Sequence, residues 1–250
     1  MREVIPLFKS HYSIGKSILT LENPEDILEN GSDSIIDICK KNNLNSFFLV
    51  DDSMSGFLQA YTNSKKNNLK LIYGLRITVC SDILQKNEES LTSNNKVVIF
   101  CKNTEGYKRL IKISSKASLS GFYYEPRIDY SILKEFWNEE DLMLCIPFYD
   151  SYIFNNVLLN FKCFIDFSFT KPVYFIEDNE LPFDNLIKGR IEKITENTLK
   201  TKSVFYKEKK DFINYLTFRC INNRSSLEKP QLEHMSSNSF CFESWKEQTN

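Results

Sequence analysis

The chain has 250 residues, 42% of them apolar and 14% aromatic, and its 32 basic and 33 acidic residues leave a formal net charge of -1. That apolar supply excludes a disordered chain and suits one large domain or two small ones. The charge balance argues against an autonomous, salt-driven DNA binder, which carries a basic face, but leaves room for a domain whose neighbour holds the DNA.

In chain order, Val4–Phe8 predicts a first strand, and Asn30–Asn42 a helix with Ile35, Ile36, Ile38 and Cys39 facing inward. Ser46–Val50 (SFFLV) reads as a strand, Gly56–Asn67 as a helix and Leu69–Val79 as a strand. The polar stretch Ser81–Asn95 reads as a loop, followed by the strand Lys96–Cys101. Thr104–Ser118 places Leu110, Ile111 and Ile113 at helical spacing, with Thr104 as the expected cap. Arg127 to Trp137 reads as a turn into a helix capped by Asp129, and Asp141–Ile146 as a strand ended by Pro147. Phe161–Phe169 and Pro172–Ile176 are strand candidates. Pro182–Leu199 is a helix with Leu186, Ile187, Ile191 and Ile194 at core spacing. Ser203–Tyr206 is a short strand, Asp211–Asn222 a late helix and Ser226–Ser237 a polar crossover. Alternation of strands and helices with short connections predicts an α/β architecture in one layered domain or barrel.

Several chemistries are excluded by what is missing. Glycine is scarce, and neither GxGxxG nor GxxxxGK[ST] occurs, so no phosphate-cradling loop is expected. The seven cysteines form no CxxC pair, which argues against a zinc knuckle and for free thiols in a reducing compartment. Arg2, Glu3 and Lys9 interrupt any signal-peptide pattern, and no run of about 18 apolar residues suits a membrane span. The expected location is the cytoplasm, without membrane contact. Abundant Asn, Lys, Ile and Phe suggest AT-rich coding, as in a phage, whose product would occupy the host cytoplasm.

Two stretches carry the functional information. Cys101–Asp129 reads CKNTEGYKRLIKISSKASLSGFYYEPRID, and Leu7–Ser13 reads LFKSHYS. The first resembles the polymerase-and-histidinol-phosphatase (PHP) domain at the N terminus of bacterial replicative DNA polymerase III alpha subunits. LVDDSMSGFLQAY (Leu49–Tyr61), LKLIYGLRITV (Leu69–Val79) and FCFESWKE (Phe240–Glu247) resemble further segments of the same family. The resemblance implies a distorted (β/α)₇ barrel over residues 1–250, without the polymerase palm, thumb and fingers. Active members gather His, Asp and Glu at strand ends around metal ions that activate water for phosphate-ester hydrolysis or 3′–5′ exonuclease action.

The resemblance also says where those ligands should stand. The opening His-x-His falls on Leu7 and Lys9, the Asp-His pair on Asp51 and Asp52, the glutamate on Arg76, and the C-terminal Asp-x-His on Ser203 and Phe205. Leu7, Lys9, Arg76, Ser203 and Phe205 are not ordinary metal ligands. Lys9 or Arg76 is expected to pair with Asp51 or Asp52, replacing metal charge by side-chain charge. The two histidines are too few for a histidine-rich centre: His11 is expected to be a hydrogen-bonded structural residue and His234 a surface one.

The expectation is a catalytically degenerate domain of the alpha type, with no cofactor and no catalytic residue. It would be structural or assemble with polymerase parts in trans, its partner a polymerase or replication protein and DNA reached only indirectly. The alternatives are a metal-dependent phosphoesterase or 3′–5′ exonuclease with an altered metal site, and a regulator mimicking the polymerase domain. Gly121, Phe122, Tyr123, Tyr124, Pro126 and Arg127 are candidate docking residues, weighed against plain turn packing.

Overall fold

The computed structural model describes residues 4–29, 31–228 and 237–249. His234 and most of the expected polar crossover lie outside them. Eight strands are laid down in chain order: β1 (Ile5–Phe8), β2 (Ser46–Asp51), β3 (Lys70–Cys80), β4 (Asn95–Cys101), β5 (Arg127–Asp129), β6 (Leu142–Ile146), β7 (Val173–Ile176) and β8 (Thr198–Val204). Their order is β2-β1-β8-β7-β6-β4-β3, and β3 pairs back to β2, which closes a seven-stranded barrel.

Six of these strands run parallel, and β4 alone is reversed, antiparallel to both β3 and β6. That reversal is the distortion. It also explains why the link from β3 to β4 needs no long crossover helix: it holds only the single turn α3 (Glu88–Leu91), within the stretch expected to be loop. The long β3 gives Lys70–Leu75 to β2 and Thr78–Cys80 to the short β5. Gly74 lies where an added Cβ would come within 2.7 Å of the Phe100 ring, so the missing side chain makes room for that ring.

Helices α1 (Ile35–Lys41), α2 (Phe57–Lys66), α4 (Thr104–Leu119), α5 (Tyr130–Phe136), α6 (Tyr152–Leu158), α7 (Asp184–Ile194), α8 (Phe212–Asn223) and α9 (Phe242–Thr249) complete the elements. One continuous apolar cluster runs from Leu7 to Trp245. α1 buries Ile35, Ile36, Ile38 and Cys39 as expected, but starts later than expected because Ser34 caps it. Asn103, rather than Thr104, caps α4, accepting from the Gly106 amide at 2.8 Å. Asp129 caps α5 through the Ile132 amide.

Three expectations fail. Phe161–Phe169 is irregular rather than a strand; Phe164 and Phe167 pack on Tyr130, and Phe169 packs on Trp137. α7 stops at Ile194, its buried face is Ile187 and Ile191, and Leu186 and Ile194 are exposed. The last barrel strand begins at Thr198, not Ser203.

Candidate functional site

The parallel strands end at one mouth of the barrel, where such folds place their chemistry. A cleft of about 270 Å³ opens there. Leu7, Val50, Val98, Phe175 and Phe205 give it apolar walls, and Lys9, Lys16, Arg76, Asp150, Glu177 and Arg219 bring charge. Five of the seven aligned ligand positions, Leu7, Lys9, Arg76, Ser203 and Phe205, therefore line it. Asp52 lies in an adjoining groove that shares Lys16, Arg76 and Asp150 with the cleft.

The carboxylates are already engaged. Asp51, fully buried, accepts from the Ser10 amide and Ser13 hydroxyl at Oδ1, and from the Ser10 hydroxyl at Oδ2, all within 2.8 Å. It ties the loop after β1 to the end of β2. Asp52 receives the Lys9 ammonium at 2.8 Å and the Arg76 guanidinium at 3.3 Å. Arg76 also pairs with Asp150, which follows β6. The expected cation–carboxylate pairing thus falls on Asp52, while Asp51 meets serines.

Burial pushes the Asp52 carboxyl up, but Lys9 and Arg76 override it and hold the group far below the usual carboxylate range. The desolvation cost appears on Lys9, whose pKa is lowered by burial despite Asp52. Lys16 forms no ion pair among the described residues; burial, then Arg76 and Arg219, pull it down to about 8.

Glu177, directly after β7, is buried and accepts from the Ser203 amide and hydroxyl and from the Asn179 amide group, at 2.8–2.9 Å. Burial raises its pKa. Glu177 and Asp150 were not anticipated from sequence. Both are acids just beyond an apolar strand, and that strand-end position is the signal that finds them.

His11 packs on Tyr12 with the rings tilted by 38° and their centres 4.4 Å apart, and its buried Nδ1 has no hydrogen-bond partner among the described residues. The expected hydrogen-bonded histidine is therefore held by ring packing. Among the described residues no group of three or more His, Cys, Asp or Glu could hold a metal ion. The donor set agrees: Asp51 has both oxygens taken, Asp52 Oδ1 is held by two cations, and Leu7, Lys9 and Arg76 are not ordinary metal ligands.

The candidate docking turn divides in two. Gly121 and Arg127 are buried: the Arg127 guanidinium donates to Gly121 O, Ser90 Oγ and Gln85 O, and lies 5.0 Å from the Tyr123 ring centre. Those two are scaffold. Phe122, Tyr124 and Pro126 are exposed, Tyr124 at 76%.

Fold and mouth together define a distorted α/β barrel whose mouth holds ion pairs and apolar walls, with no metal-holding group among the described residues. A family model described as PHP domain matches residues 29–157. The chain belongs to the PHP domain family. The DNA polymerase III subunit alpha of Borreliella burgdorferi is 33% identical over 105 residues, 41% of this chain and 9% of that protein. That of Helicobacter pylori strain 26695 is 39% identical over 83 residues, 33% of this chain and 7% of the relative. That of Chlamydia muridarum is 36% identical over 85 residues, again 33% and 7%. The matches span less than a tenth of each relative's length, and the chain corresponds to the PHP portion of an alpha-type protein. The family match runs from just before α1 into α6, narrower than the near-complete coverage expected; β1, β7 and β8, which close the barrel, lie outside it. Among the described residues no helix is long and apolar enough to cross a membrane.

Proposed function

We propose that this barrel is a catalytically degenerate PHP domain, residues 1–250 forming one unit, and that it works as a structural part of a replicative DNA polymerase of the alpha type, assembling with polymerase subunits in trans. One observation carries the reading: Lys9 and Arg76 bridge Asp52, and Arg76 reaches on to Asp150, so side-chain charge sits where a metal would have to be held. Without a metal or an activated histidine, nothing in the cleft generates a nucleophilic water. The work then falls to contacts with protein, and the exposed Phe122, Tyr124 and Pro126 are the first surface to test. DNA is reached through the partner, and no cofactor takes part.

Metal analysis of untagged protein and incubation with labelled single-stranded DNA plus magnesium or manganese test the catalytic half. Background metal and no turnover are expected. Stoichiometric metal released by Asp51→Ala, or turnover abolished by changing Asp51 and Asp52, overturns the reading in favour of an altered metal site. Native copurification tests the assembly half, with polymerase-type subunits expected and lost in Tyr124→Ala at unchanged thermal stability. A strictly monomeric protein that recovers neither polymerase fragments nor a host polymerase overturns it.

A further inference from the structure

A second concavity, away from the mouth, combines aromatic rings with lysines. It lies on the barrel flank, between α2, the first residues of β3 and the start of α4, with a volume of about 670 Å³. Phe57 lies nearly parallel to Tyr107, at 3.9 Å between ring centres, and nearly parallel to Tyr61, at 5.9 Å. Tyr73 meets Phe57 edge-on at 5.0 Å. Tyr61 is 49% exposed, so this cluster of rings reaches solvent.

Lys65, Lys70 and Lys102 stand around these rings, all three exposed, and no Asp or Glu lines the groove; the Lys102 ammonium donates to Glu139 O and can swing from it to a phosphate. In a chain with one more acid than bases, that local segregation of charge is distinctive. The segments that build the groove, GFLQAY, LKLIY and CKNTEGY, are also those that carry the family resemblance, and the mouth chemistry uses none of their rings.

We propose that this groove is a stacking site for single-stranded nucleic acid. Bases would extend the ring cluster from Tyr61 while the three lysines follow the phosphates. Stacking on aromatic faces within a positively charged groove is the general solution for sequence-tolerant single-strand binding. The groove adds a direct DNA contact to a domain otherwise expected to reach DNA through its partner. It is independent of the mouth: metal in the cleft would leave it unchanged, and its failure would leave the metal-free reading standing.

The test is fluorescence anisotropy with the full chain and a labelled oligothymidylate of about twelve residues, a length within known site sizes. Three phosphate contacts predict that binding weakens roughly 15–20-fold between about 50 and about 200 mM salt. Lys65→Gln and Lys70→Gln should each weaken binding and lower the slope of log K against log salt by about 0.7. Tyr61→Leu should weaken it about tenfold, as should replacing the thymidines by abasic residues. Lys193→Gln, on the exposed face of α7, should change nothing, and thermal melting should show every variant folded. Absence of binding at low salt, equal binding of the abasic strand, or an equal loss in Lys193→Gln overturns the proposal. Tighter binding of polyglutamate than of oligothymidylate also overturns it, and assigns the groove to an acidic protein segment.

Discussion

Arg76 is the residue on which the mouth turns, because it neutralises two carboxylates that follow different strands, Asp52 after β2 and Asp150 after β6. Arg76→Met should leave Asp150 without its partner and Asp52 with Lys9 alone, costing about 1–3 kcal/mol at neutral pH in denaturant titrations; the range allows for the partial exposure of both acids. A change below a few tenths of a kcal/mol would mean the cluster is decorative. The buried Glu177 gives a second, opposite test. Its raised pKa means that the folded state holds a proton more tightly than the unfolded chain, so stability should fall as pH rises above the ordinary glutamate value of about 4.3. Glu177→Gln keeps hydrogen-bonding capacity toward Ser203 and should flatten that fall, while the loss of stability in acid set by Asp52 persists below about pH 4. A profile above the ordinary glutamate value that is unchanged in Glu177→Gln would contradict the burial argument. Much of this chemistry was legible beforehand: Lys9 and Arg76 in ligand positions announced ion pairs. Asp150 was not, because its role depends on a strand that lies beside β4 in space and far from β3 in sequence.

At the scale of elements, local signals fared best where they were chemical and worst where only apolar content spoke. Asp129 and Asn103 both stand at helix starts, and the side chain that reaches the third amide decides the cap. Asn103 does so, and also donates to Asp141 at 3.0 Å, whereas Thr104 is already the first residue of the helix. Asn103→Ala should therefore cost about 1 kcal/mol or more, and Thr104→Ala should be close to neutral; chemical denaturation of the two variants separates them. The reverse order would restore Thr104 as the cap. Phe161–Phe169 misled because four phenylalanines in nine residues mimic a buried strand, yet Phe164 and Phe167 only lean on Tyr130 and Phe169 on Trp137, none of them fully buried, while the backbone is irregular. α7 misled because four apolar residues at helical spacing predict a wide buried face, and the barrel covers only Ile187 and Ile191.

For the whole molecule, a closed ring over one apolar cluster leaves no seam along which halves could separate. Thermal unfolding followed by near-ultraviolet and far-ultraviolet circular dichroism should give one coincident transition. Two transitions would divide the chain into separate units. Closure has a consequence in time as well as in space. The ring shuts where β1 meets β8, pairing Ile5 with Thr201 and Phe8 with Val204, and Trp245 Nε1 then donates to Val4 O across the seam at 2.8 Å. A chain emerging from the ribosome makes β1 well before its β8 neighbour, with six other strands between them. Throughout that interval β1 and β7 keep bare hydrogen-bonding edges, the feature that invites strands from other chains. Rapid completion or chaperone shelter during synthesis is thus built into the requirements of this topology, and slow translation between β7 and β8 should lower the yield of soluble protein.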